Sequence, residues 1–169
     1  VFEEHKGPTE WLSNPVIVPK DDETIRITVD YRNLNKALLN THYPVPRIDD
    51  LRASMNGCKY FTKLDFNHAF FQFEISDESK ALTTFYANGR LIRLNRLPQG
   101  VLPACSELNN ALNQLFIEVP EVKAIHDDVI IATKTREDQY NVLDKVFGII
   151  DRNNLTLNGK KCIFASQDI

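Results

Sequence analysis

Cysteine is scarce in this sequence: Cys58, Cys105 and Cys162 are far apart, odd in number and form no CxxC pair. A disulfide framework and a zinc knuckle are thereby excluded, and a reducing compartment is favoured. No uninterrupted apolar run approaches the ~20 residues that span a bilayer, which excludes a transmembrane helix. Charge of one sign is lacking too, with 20 Lys and Arg against 23 Asp and Glu and a net charge of −3. A general attraction to nucleic acid is therefore absent, and any such binding has to come from local placement. No internal repeat, low-complexity tract or Gly/Ser linker divides the chain, so one continuous folded unit is expected. The start, Val1-Phe2-Glu3-Glu4-His5-Lys6, has neither an initiator Met nor the basic-then-apolar pattern of a secretory signal, and points to a fragment or a processed piece. What is present is ordinary globular material. With 43% hydrophobic and 25% charged residues over 169 positions, the chain is not disordered and fits one domain or two small lobes sharing a core.

Period-two alternation over Ile25-Arg26-Ile27-Thr28-Val29-Asp30-Tyr31 marks a half-buried strand. Together with Pro15-Val16-Ile17-Val18 it predicts an antiparallel hairpin whose tip, Lys20-Asp21-Asp22-Glu23, is charged. Within residues 1–24 this run is the one β-like stretch. Pro44 and Pro46 break the chain before a short helix over 48–55. A strand is expected over 61–65, running into the aromatic-rich Phe70-Phe71-Gln72-Phe73. Residues 81–86 and 90–94 flank Ala87-Asn88-Gly89 as a second hairpin. Apolar residues at helical spacing predict helices over 105–117 and 137–150, the latter with Val142, Val146, Ile149 and Ile150 on one face. Two short apolar runs, 122–125 and 129–132, are joined through His126-Asp127-Asp128, and 155–164 reads as a closing strand. Strands interleaved with helices and several hairpins indicate an α+β fold with an antiparallel sheet.

The adjacent acids Asp127 and Asp128 carry the most information, because both flanks are what buried strands look like. Two ionised carboxylates there repel each other and lose hydration. A solvated hairpin turn is the ordinary account of an isolated Asp-Asp. Asp65 also ends an apolar strand, where a helix N-cap is the ordinary account. Three acids at the ends of apolar strands are better explained together, as one site for divalent metal. Mg²⁺ takes hard oxygen ligands from one or two carboxylates plus substrate phosphates. Two ions held so can activate an attacking hydroxyl and stabilise a leaving pyrophosphate in line.

At this point the chain resembles the fingers and palm of a reverse transcriptase from a gypsy-type LTR retrotransposon or a related retroelement. The segments that carry the resemblance follow the family's order. Arg26-Ile27-Thr28-Val29-Asp30-Tyr31-Arg32-Asn33-Leu34-Asn35 resembles the fingers motif, and Tyr43-Pro44-Val45-Pro46-Arg47 the segment after it. Thr62-Lys63-Leu64-Asp65, with Phe70 and Gln72, resembles the first palm carboxylate motif. Arg96-Leu97-Pro98-Gln99-Gly100 resembles the Leu-Pro-x-Gly turn. Ile125-His126-Asp127-Asp128 stands where the family has an aromatic-x-Asp-Asp signature, and Leu157-Asn158-Gly159-Lys160-Lys161-Cys162-Ile163-Phe164 resembles the Lys-Cys-x-Phe close of the palm.

The resemblance implies a right-hand polymerase: 1–60 mostly fingers, 61–169 mostly palm, with a return of the fingers at about 76–96. The palm would be a ferredoxin-like antiparallel sheet packed on helices. Thumb, connection and RNase H would lie outside the chain, so that the isolated piece grips primer–template weakly. The implied activity is RNA-directed and DNA-directed DNA polymerisation with two Mg²⁺ ions, Mn²⁺ being a substitute. Asp65 and Asp127 match the metal-binding pair and Asp128 their acidic neighbour. Phe70 matches the bulky gate that excludes a 2′-hydroxyl. Arg26 and Lys20 match cations that clamp the incoming triphosphate. Gln99 matches a contact to the nucleotide's sugar or base, and Gly100 a close approach of backbone to the template. Lys161 matches a lysine able to protonate departing pyrophosphate. Implied partners are an RNA or DNA template with its primer, dNTP, the rest of a polyprotein, and a second copy through exposed apolar surface, with no membrane. The implied location is the cytoplasm within virus-like particles, or the nucleus. Two positions depart from the pattern, Ile125 for the usual aromatic and His126 before the acids. The competing function is a domesticated fragment acting as a binding or scaffold protein, against which the three acids weigh.

Overall fold

The computed structural model describes residues 1–19, 25–39, 48–125 and 128–167, without the side chains of Arg26, Ile48, Asp49 and Asp50. Its strands are β1 (Phe2–His5), β2 (Asn14–Pro19), β3 (Ile25–Asp30), β4 (Tyr60–Asp65), β5 (Phe85–Ala87), β6 (Arg90–Leu94), β7 (Val122–Ile125), β8 (Asp128–Thr133) and β9 (Ile163–Ser166). Its helices are α1 (Arg32–Ala37), α2 (Ile48–Ser54), α3 (Asp77–Leu82), α4 (Ala104–Leu115) and α5 (Arg136–Arg152), with a 3₁₀ turn over Ala69–Gln72. The chain forms two compact units, Val1–Thr41 with Phe70–Cys105, and His42–Ala69 with Ser106–Ile169. Within each unit, strands distant in sequence are joined, since β1 pairs with β6 and β4 with β8.

The first unit holds the sheet β1-β6-β5 and the ribbon β2-β3, antiparallel throughout. Tyr31, Leu34, Phe85 and Leu94 form its core, surrounded by Trp11, Val29, Leu38, Phe71, Leu82, Ala87, Ile92 and Val101. The β5–β6 hairpin turns at Asn88 (φ 50°) and Gly89 (φ 76°), the left-handed pair that a tight hairpin requires. Two elements depart from the sequence reading. β1 forms although Phe2-Glu3-Glu4-His5 is nearly all polar, because its ladder to Leu91–Leu94 supplies the pairing. Helix α3 takes residues 81 and 82 from the expected strand. Its N-cap is Ser76, whose Oγ accepts the Ser79 N–H at 3.3 Å, and Asp77 and Glu78 oppose the helix dipole in its first turn.

In the second unit the sheet order is β7-β8-β4-β9, all antiparallel, with α4 between β4 and β7 in the chain and α5 between β8 and β9. That is the split βαβ arrangement of a ferredoxin-like α+β unit. Register pairs share a face, so Thr62 with Ile131, Leu64 with Val129, and Val122 and Ala124 beyond them form one buried layer. Helix α5 packs on β4 and β8 and buries Gln139, Val142, Leu143, Val146 and Ile150. It begins at Thr135, whose Oγ1 accepts the Asp138 N–H at 3.1 Å. The last strand is shorter than expected, Ile163–Ser166, because the residues before it make a turn closed by Lys161 N–H and Cys162 N–H to the Asn158 carbonyl.

Candidate active site

The alternation that buries Thr62 and Leu64 puts Lys63 and Asp65 on the opposite, half-exposed face of β4. There Asp65 pairs in register with Asp128, the first residue of β8, and Ile125 of β7 pairs with Asp128 in turn. Residues directly opposed in an antiparallel pair have Cβ atoms about 4.5–5.5 Å apart, so the two carboxylates share one site. Like charges at that spacing destabilise unless cations answer them. Two lysines do so: Lys63 Nζ lies 2.6 Å from Asp128 Oδ2, and Lys161 Nζ lies 3.9 Å from Asp65 Oδ2.

The backbone of Asp65 is clamped from the turn before β9. Its carbonyl accepts the Asn158 N–H at 2.8 Å, and its N–H donates to Cys162 Sγ at 3.4 Å. The sulfhydryl of Cys162 returns a longer contact to the Asp65 carbonyl at 3.8 Å. Asp65 is thus a strand end held from two sides, not a helix cap. The roles of Asn158 and Cys162 were not legible from residue type, since the contact spans about a hundred residues of chain.

Asp127 and Lys20 lie outside the described residues, as does the side chain of Arg26, whose backbone pairs with Val18. Asp65, Asp128 and Lys161 come together in the second unit; Phe70, Gln99 and Gly100 belong to the first. Phe70 sits in the 3₁₀ turn and is 7% exposed. Gln99 and Gly100 are exposed, and Gly100 has φ +89°, a conformation that L side chains rarely adopt. Their turn is held by Asn35, whose Nδ2 donates to the Gly100 carbonyl at 2.9 Å and whose Oδ1 accepts the Leu102 N–H at 2.8 Å. Asn35 closes the fingers-like segment in sequence, yet only this contact reveals what it does.

Among the described residues no three His, Cys, Asp or Glu side chains converge as a metal cluster. The donor set that is described still suits a hard divalent cation: two carboxylates on one face of adjacent strands, partly open to water and balanced by lysine. No described helix is long and apolar enough to cross a membrane.

A family profile described as "Reverse transcriptase (RNA-dependent DNA polymerase)" matches residues 18–169. The retrovirus-related Pol polyprotein from transposon 412 of Drosophila melanogaster is 31% identical, over 95% of this chain and 14% of its own length. The transposon Tf2-3 polyprotein of Schizosaccharomyces pombe is 28% identical, over 91% of this chain and 12% of its own. Among solved structures, the prototype foamy virus protease–reverse transcriptase superposes with a TM-score of 0.87 at 27% identity, covering 98% of this chain and 22% of that one. A foamy viral protease–reverse transcriptase in complex with an RNA/DNA hybrid superposes at 0.86, and at 23% identity it speaks for the fold alone.

The fold is that of a polymerase of the α+β class. The chain belongs to the reverse transcriptase family, and it spans about a seventh of the length of the transposon 412 polyprotein that it matches.

Proposed function

We propose that this chain is the catalytic core of an RNA-directed and DNA-directed DNA polymerase within a retroelement polyprotein, adding dNTP to a primer 3′-hydroxyl. The observation that carries the reading is the register pairing of Asp65 with Asp128 on the half-exposed face of β4 and β8, with Asp127 next in the chain. Asp65 and Asp127 would hold two Mg²⁺ ions, or Mn²⁺ in their place, with Asp128 as the neighbouring acid. When bound, the ions supply the positive charge that activates the primer hydroxyl and stabilises the departing pyrophosphate. The chain's own residues do the rest. Asn158 and Cys162 fix the backbone of Asp65 and so the direction of its carboxylate. Lys161 sits near enough to Asp65 to deliver a proton to the pyrophosphate oxygen as it leaves. Lys20 and Arg26 draw the triphosphate in, Arg with a bidentate fork and Lys as a point charge. Gln99 and Gly100 meet the nucleotide and template through the turn that Asn35 holds, and the Phe70 ring excludes a 2′-hydroxyl.

The partners of this reading are a primed RNA or DNA template, the remaining polyprotein and a second copy of the chain, inside cytoplasmic particles or the nucleus. Named neighbours that are complexes with double-stranded DNA or an RNA/DNA hybrid, and relatives that are polyproteins, support it. The test is primer extension by the mature polyprotein product. Asp65→Asn abolishes dNTP incorporation on both templates while the far-ultraviolet circular dichroism stays unchanged. Undiminished incorporation by that variant refutes the assignment.

A further inference from the structure

The half-exposed face of the four-stranded sheet is arranged in rows. One row runs Lys123, Ile130, Lys63, Ile163 across β7, β8, β4 and β9, and the next runs Ile125, Asp128, Asp65. Lys63 belongs to the first row, but its ammonium crosses diagonally into the second and meets Asp128 Oδ2 at 2.6 Å. Lys161 approaches Asp65 from a loop, at 3.9 Å and with its side chain 68% exposed. The two contacts are unequal. The first is a charge-assisted hydrogen bond from a side chain 35% exposed and rooted in the central strand, and the second is a loose approach.

Lys63 therefore stands where a divalent cation's charge is wanted. A lysine brings a single charge, whereas a divalent ion brings two and binds two or three carboxylates directly. For such an ion to use Asp128, the Lys63 contact has to lengthen or break.

We propose that Lys63 is a positioning residue that acts through Asp128: an internal counter-ion that holds this carboxylate in the absence of divalent metal and competes with the metal for it. The inference rests on the reading of the Asp65, Asp127 and Asp128 site as a metal site. It assigns a purpose to a lysine that the catalytic reading leaves unused. It also separates Asp128 from Asp65, since among the described residues only Asp128 carries a cation rooted in the sheet. An ion pair this exposed adds little to stability, so the variants keep their fold and metal affinity is read cleanly.

The test titrates Mn²⁺ into the metal-free protein and reads the unbound ion by electron paramagnetic resonance, with no nucleotide or template present. Lys63→Met is expected to bind Mn²⁺ roughly fivefold more tightly than the parent, because a partly exposed ion pair no longer competes with the metal for Asp128. Lys63→Arg keeps the parent affinity. Asp128→Asn binds less tightly, and adding Lys63→Met to it changes affinity by no more than about twofold, because the lysine acts through that carboxylate. Equal or weaker binding by Lys63→Met overturns the proposal, as does an undiminished gain in the Asp128→Asn background. If the parent, Lys63→Met and Asp65→Asn proteins all fail to bind Mn²⁺, the metal site itself is refuted. If the parent binds and Asp65→Asn does not, the metal site stands whatever Lys63 does.

Discussion

Replacing Gln139 by Leu tests how the strand that carries Asp65 is held. Gln139 is fully buried on α5 and reaches two strands at once. Its Nε2 donates to Thr62 Oγ1 at 2.7 Å, and its Oε1 accepts the Thr133 hydroxyl at 2.6 Å. Thr62 Oγ1 also accepts the Ala165 N–H at 3.0 Å, so one amide ties α5 to β4 and β8 directly and to β9 through Thr62. Leucine has nearly the same volume and opens little cavity, which leaves the polar terms to decide. Each neutral hydrogen bond contributes about 0.5–1.5 kcal/mol net, and a buried group left without its partner costs about 1–3 kcal/mol. The Thr133 hydroxyl keeps an acceptor in the Thr135 carbonyl at 3.0 Å and Thr62 Oγ1 keeps the Ala165 N–H, so the loss is that of two hydrogen bonds and no group is orphaned. The expected cost is about 1–3 kcal/mol, with roughly 1 kcal/mol of coupling in a cycle with Thr62→Val. Urea unfolding followed by far-ultraviolet circular dichroism suits the measurement, because the one tryptophan, Trp11, packs against the core of the other unit. Amide exchange at Ala165 gives an independent local reading. A cost below about 0.5 kcal/mol, or a coupling of zero, refutes the argument that this network fixes β4.

Two further outcomes follow from the first unit. Burial raises the Tyr31 phenol well above its ordinary value of 10.0, and its hydroxyl donates a long hydrogen bond to the Thr83 carbonyl at 3.5 Å. A raised folded-state pKa contributes stability that is complete below the unfolded value and is lost as pH rises past it. Unfolding free energy therefore falls above pH 10, and Tyr31→Phe, nearly neutral at pH 7, flattens that fall in a titration of urea midpoints. Asn35→Ala removes both hydrogen bonds on the turn after Pro98, at a cost of about 1–2 kcal/mol. It should also raise amide exchange at Leu102; unchanged exchange there would show that the turn holds itself.

Local pattern carried several elements unaided. The alternation over residues 25–31 placed β3, the helical spacing over 137–150 placed α5 to within two residues at each end, and Asn88-Gly89 placed the second hairpin. These are cases in which periodicity and a turn residue's own backbone preference agree with the fold. Helix α3 was missed, because residues 81 and 82 read as part of a strand and outweighed the helix start that Ser76 makes with Asp77 and Glu78. The acids Asp65 and Asp128 stood out as residue types that apolar strand ends do not favour, so their presence was a sequence fact.

Their meeting was not. Whether Asp65 lies opposite Asp128 or one place along depends on the register of β4 against β8, and a slip of one residue would turn Asp65 to the buried face. That register is set by Leu64 against Val129 and Thr62 against Ile131, and by the Gln139 amide above them. The grip of Asn158 and Cys162 on Asp65, the hold of Asn35 on the Gly100 turn and the reach of Lys63 to Asp128 are likewise tertiary. A sequence records which groups are available and how each stretch prefers to bend. Which polar groups face one another across strands is decided by the packing of the apolar layer beneath, because burying that layer outweighs the cost of gathering charges on the open side.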